Sequence, residues 1–126
     1  MSERGALITI GGREYELLLT TKATKEIAGR YGGLDHLGDK LMKSENFEMA
    51  LSEIVWLITL LANQSILVHN ITDKEHPKDL LTEDEVEILT SPFELAGYKA
   101  AITAAMYAGT KRNVESEEDS KNAQVG

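Results

Sequence analysis

Two short clusters carry residue types that could do acid–base or metal chemistry. Asp35, His36 and Asp39 lie within five positions, and His76 sits among Asp73, Glu75 and Asp79. Either set could supply a general base or a weak metal site in principle. Neither has a pair of histidines at helical spacing or an HExxH pattern, and solvated polar stretches produce such neighbours by chance. His69 closes an apolar run and reads as a partly buried side chain. Gly29, Gly32, Gly33 and Gly38 are not followed by Lys-Ser/Thr and do not form GxGxxG after a strand, so they punctuate helices without cradling phosphate. No serine stands in a GxSxG setting. The expectation is a protein without catalytic residues, metal or cofactor.

Composition narrows the classes further. The chain has 126 residues, with 13 Lys and Arg against 21 Asp and Glu, for a net charge of −8. That length suits one domain. The acidic balance argues against nucleic acid as a partner, because cations neutralising phosphates supply most of that affinity. An apolar share of 42% is ordinary for a globular fold. There is no cysteine, which excludes disulfides and thiolate chemistry and fits a reducing cytoplasm. The most apolar stretch, Ile54 to Ala62, is broken by Thr59 and closed by Asn63-Gln64. A bilayer span needs about 20 apolar residues, so the expectation is a buried helix, no membrane association and a cytoplasmic location.

Positioning elements follow from local pattern. Residues 6–19 read as a β-hairpin: Ala6 to Ile10, then Gly11-Gly12, then Arg13 to Leu19. Two glycines supply the positive φ values of a tight primed turn. The second run alternates Glu14 and Glu16 with Tyr15 and Leu17, as a strand covered on one face does. A lone hairpin is marginal in water, so it must pack on helices or pair with another chain. Its edge is a template for strand addition or for assembly into a homo-oligomer, unless Glu14, Glu16 and the helices protect it.

Helical patterning takes over after the hairpin. Thr20 or Thr21 caps a helix over about 22–31, ended by Gly32-Gly33. A short amphipathic helix is expected over 34–43, and Ser44 or Asn46 caps the longest one, over 47–63. Phe47, Leu51, Ile54, Ile58 and Leu61 form its core-facing stripe, and Glu48, Ser52, Thr59 and Asn63 a polar one. Met49, Trp56 and Leu60 add a second, narrower apolar strip. Such a helix is either central to the domain or has a second partner, and tryptophan is a favoured interface anchor. Residues 64–81 are ambiguous, since Ile66-Leu67-Val68 either extends the long helix or begins another element.

Two capping boxes, Thr82 with Glu85 and Ser91 with Glu94, open helices over 83–90 and 92–108, the second with Pro92 at its first position and Gly109 as its stop. In the second helix Gly97, Ala101, Ala104 and Ala108 make a smooth face expected to lie against another helix, with Leu95, Ile102 and Met106 on the other side. Residues 110–126 are dominated by charge and read as a flexible tail. The fold expected is therefore α+β and mainly helical: an N-terminal hairpin on four or five helices within a single domain, 1–109.

The hairpin Ile8-Thr9-Ile10-Gly11-Gly12-Arg13-Glu14-Tyr15-Glu16-Leu17, the helix Lys25-Glu26-Ile27-Ala28-Gly29-Arg30-Tyr31-Gly32-Gly33 and the helix Ile54 to Asn63 occur in a familiar order. With Leu81-Thr82-Glu83-Asp84-Glu85-Val86 and Leu89-Thr90-Ser91-Pro92, they resemble the tail assembly chaperones of long-tailed phages and prophages of Gram-positive bacteria. The resemblance covers about residues 6–108. It implies a non-enzymatic protein that binds the tape-measure protein, keeps it soluble while tail tube subunits assemble around it, and leaves before the virion is finished. Met49, Trp56 and Leu60 would line part of the binding groove. It also implies a longer form made by minus-one ribosomal frameshifting; at Ser120-Lys121-Asn122 the codons UCA-AAA-AAC would hold the slippery heptamer A-AAA-AAC. A structural tail completion or connector protein, using the hairpin to build rings, is the alternative.

Overall fold

The computed structural model describes the backbone of residues 5–33 and 47–125, with side chains at 6–33 and 50–109. The fold is α+β and mainly helical. Strands β1 (Gly5–Ile10) and β2 (Arg13–Leu18) form an antiparallel hairpin in which Ala6 opposes Leu17, Ile8 opposes Tyr15 and Ile10 opposes Arg13. Gly11 and Gly12 take φ of 57° and 81°, the two left-handed positions a type I′ turn needs. Ile8, Ile10 and Leu17 are buried, while Leu7, Thr9 and Glu14 are exposed. Near the turn one face of the hairpin is core and the other solvent, while at the far end of β2 Leu18, on the second face, is buried as well.

Helix α1 (Thr21–Tyr31) starts where the Thr20 hydroxyl accepts from the Ala23 amide and ends at Gly32, φ 84°. Helix α2 (Phe47–Thr72) is the centre of the fold. It packs on β2, α1, α3 (Glu83–Leu89) and α4 (Pro92–Val125), and α4 packs along β1. Ile54, Val55, Leu57, Ile58, Leu61 and Ala62 of α2 are all buried, and over residues 50–70 only Ser52 is exposed, so the helix is at least partly covered all round. The core cluster adds Ile27 of α1, Val86 of α3 and Leu95, Ile102 and Ala105 of α4.

Both capping boxes form as the sequence predicts. Thr82 accepts from the Glu85 amide while the Glu85 carboxylate accepts from the Thr82 amide, at 3.1 and 3.0 Å. Ser91 and Glu94 do the same at 3.2 and 3.1 Å.

Helix α2 does not end at Asn63-Gln64 but runs nine residues further. The polar pair is used for tertiary bonds: Gln64, 3% exposed, accepts from the Thr20 hydroxyl and donates to the Leu60 carbonyl. Over Ala50–Thr72 the helix is therefore long and apolar enough to cross a bilayer by length and composition, and shortness no longer argues against a span. In this fold its apolar side chains as far as Ile66 are buried or half-buried in the core, while Ile71 is exposed.

Gly109 does not stop α4 either. It lies within the continuous helix, is buried, and does not take a positive φ. A Cβ there would fall 2.8 Å from the Leu19 Cβ, so the glycine serves the close crossing of α4 over the end of the hairpin. The helix expected over 34–43 lies outside the described residues. The tail expected over 110–126 lies outside the described side chains, and only helical backbone through Val125 is given there.

Candidate functional site

Helix α4 carries two seams. Leu95, Tyr98, Ile102, Ala105 and Gly109 recur at three- and four-residue steps and face inward, each buried or half-buried. Phe93, Gly97, Ala100, Ala104 and Tyr107 follow the same heptad rhythm on the opposite side, and every one is exposed. Phe93 is 88% exposed and Tyr107 64%. The face of small residues expected to lie on another helix is thus only partly turned inward: Ala101 and Ala108 are half-buried, while Gly97 and Ala104 are open. Bulky Leu95 and Ile102 take the core instead, because burying a leucine or isoleucine stabilises more than burying an alanine.

The outer seam has the geometry of a helix-docking surface. Glycine and alanine let a second helix approach at the short end of the usual 8–10 Å interaxial range, and two aromatic side chains bracket the smooth stretch. From Phe93 to Tyr107 the seam is about 21 Å long at 1.5 Å per residue. A nearly apolar shallow depression lies along it, lined by Lys99, Ala100, Thr103, Ala104 and Tyr107. Ile88 of α3 is 79% exposed, and Leu89 is exposed as well.

Trp56 has a different setting. It is half-buried against the core, with the Arg30 guanidinium 4.3 Å from its ring centroid and Tyr31 edge-on at 6.0 Å and 73°. Arg30 Nε donates to Glu53 at 3.2 Å, and the Tyr31 hydroxyl donates to the same carboxylate. Burial, then the bond to Glu53, raises the Tyr31 phenol above the ordinary tyrosine range. The group ties the last turn of α1 to α2, with a cation–π contact worth about 0.5–2 kcal/mol. Leu60, one turn on, is also half-buried against the core, and the Met49 side chain lies outside the described residues.

The histidines are placed as follows. His76 Nδ1 lies 3.1 Å from the Asp73 carboxylate in an exposed pair. His69 Nε2–H donates to the His76 carbonyl at 2.7 Å, closing the turn after α2. Asp35, His36 and Asp39 lie outside the described residues. Among the described residues no three acidic or histidine side chains converge as metal ligands.

No family model, curated protein or solved structure matches the chain.

Two asparagines escaped sequence reasoning. Asn63 donates to the Leu81 carbonyl at 2.9 Å and accepts from the Leu81 amide at 2.7 Å. Asn70 does the same with Lys78, at 3.0 and 2.8 Å. Each side-chain amide thereby acts like the backbone of a neighbouring strand and lashes the 78–81 connection along α2. Their seven-residue spacing, which puts both on one helix face, was the available signal.

Proposed function

We propose that this chain is a tail assembly chaperone of a long-tailed phage or prophage, a non-enzymatic protein that transiently binds the tape-measure protein, and tail tube subunits, in the cytoplasm of the bacterial host. The sequence resemblance supplies the class. The observation that carries a binding role is the outer seam of α4, a heptad-spaced row of small apolar residues bracketed by exposed aromatics. Such a row suits an amphipathic helix laid in a groove, and a tape measure of this class is a long, largely helical chain with apolar stripes. The net charge of −8 favours keeping such a complex in solution. The partner surface assigned here is the α4 seam in preference to Met49, Trp56 and Leu60, because Arg30 and Tyr31 already cover Trp56.

On this reading a very long reading frame lies beside this gene, and the test is co-expression with its product. Wild-type protein should co-purify with that product and be absent from finished particles. An Ala100→Glu, Ala104→Glu pair should abolish co-purification and leave the circular dichroism spectrum and Tm unchanged, since both positions are exposed. Retained co-purification by the folded double variant refutes the seam. Presence of the protein in particles favours a structural tail component.

A further inference from the structure

The register of the hairpin decides which way each backbone group of β2 points. The two-residue turn closes on Ile10 and Arg13, so these form a hydrogen-bonded pair, and pairing alternates along the ladder. Arg13, Tyr15 and Leu17 therefore direct their N–H and C=O toward β1, whereas Glu14 and Glu16 direct theirs away from it. The sheet has two strands, and among the described residues no backbone bond outside the ladder reaches Glu14 or Glu16. The edge of β1 is managed differently: α4 packs along it, and the Tyr98 hydroxyl donates to the Thr9 carbonyl at 2.6 Å.

The edge of β2 borders a cleft of about 670 Å³. Arg13, Glu14, Tyr15 and Glu16 line it in unbroken succession, with Leu7 of β1, Ser65, Ile66 and His69 of α2, and Pro77, Lys78 and Asp79 of the following connection. A cavity lying on one face of a strand would be lined by alternate residues. The unbroken run shows that this one reaches round the edge, where a further strand would sit, and Leu7 shows that it continues onto the face bearing Glu14 and Glu16.

Charge selects the occupant. A second copy pairing antiparallel across a two-fold axis at Glu14, Tyr15 or Glu16 brings outward-pointing residues opposite one another, and in each of these registers a glutamate faces a glutamate of that copy. Like charges directly opposite destabilise a ladder. The same two carboxylates, which with Asp79 outnumber the Arg13 and Lys78 cations of the cleft, favour a strand with cations at alternate positions, and Tyr15 between them, on the other face, favours an apolar residue. We infer that the outer edge of β2 is a strand-addition site for an extended segment of a partner protein that alternates basic and apolar residues. This surface is separate from the α4 seam, and its failure would leave that reading untouched.

The experiment titrates the full chain with a capped seven-residue peptide alternating lysine and valine, beside a glutamate–valine peptide and a lysine–valine peptide N-methylated at alternate residues on its pairing edge. Nuclear magnetic resonance follows binding and the hydrogen exchange of each amide. The lysine peptide should protect the Glu14 and Glu16 amides and bind about tenfold more tightly than the glutamate peptide. A Glu14→Lys, Glu16→Lys variant, altered only on the solvent face, should reverse that preference. Equal binding of the two peptides, protection elsewhere than β2, or undiminished binding of the N-methylated peptide would each overturn the inference, the last by showing attraction without strand pairing.

Discussion

Two glycines on α4 should answer the same substitution in opposite directions. A Cβ at Gly97 meets nothing within 4 Å, whereas at Gly109 it would lie 2.8 Å from the Leu19 Cβ and 3.2 Å from the Leu19 carbonyl oxygen. Neither has a positive φ, so alanine fits both backbones. Gly97→Ala should stabilise by about 1 kcal/mol, the helix-propensity difference between the two residues. Gly109→Ala carries the same gain against an overpacking loss of about 1–3 kcal/mol, because the close atoms are a Cβ and backbone and cannot swing aside. The propensity gain cancels between the variants, so their difference, about 1–3 kcal/mol, reads the crossing of α4 over Leu19 alone. Urea unfolding followed by circular dichroism measures it, provided the m-values agree. If Gly109→Ala is as stable as Gly97→Ala, the close crossing is refuted. Gly97→Ala should also weaken partner binding while stabilising the free protein, since its methyl group enters the seam.

Asn63→Ala should cost about 1–3 kcal/mol in the same assay, because it strands both backbone groups of Leu81 in a partly buried place, and an equal effect from the more exposed Asn70→Ala would argue against that cause. The raised Tyr31 phenol adds a pH dependence: an unfolded tyrosine ionises near 10 and the folded one only above that, so this contribution is full below pH 10 and is lost as pH rises further. Tyr31→Phe should flatten the alkaline decline in chemical-denaturation stability, and identical slopes would refute the coupling.

Local physics made much of the fold legible in the sequence. The Gly11-Gly12 turn, the Thr20 cap and both capping boxes depend on neighbours within four residues, and all form where the sequence places them. What failed were residues whose meaning lies in a distant partner. Asn63-Gln64 resembles a helix end, yet Leu81 and Thr20 satisfy those amides and the helix continues. Gly109 resembles a stop because a left-handed cap and a close helix crossing both select glycine, and only Leu19 distinguishes them. Periodicity found two faces of α4 but could not say which was inside. The exposed seam was least legible: the tryptophan that stood out by type is half-buried as a joint between α1 and α2, and the outer face of α4 is built of inconspicuous alanines.

That choice of residues bears on how such a surface could work. A row of leucines at the same positions would bind a helix more strongly but would leave a large apolar patch open in the free protein, and such patches associate indiscriminately. Alanine and glycine expose little and still admit a partner backbone closely, so the partner must bring the bulk. The energy available is correspondingly limited. Burying Phe93 fully is worth about 1.5–3 kcal/mol and each alanine methyl about 0.8 kcal/mol, against an association cost of at least about 4 kcal/mol. One seam of this kind gives binding that forms and releases readily. Tight capture of a long chain would then need several molecules side by side on successive turns of the partner, each adding little. On the proposed function, that arrangement would hold an apolar helix out of contact with its neighbours and would yield it stepwise to a more permanent occupant.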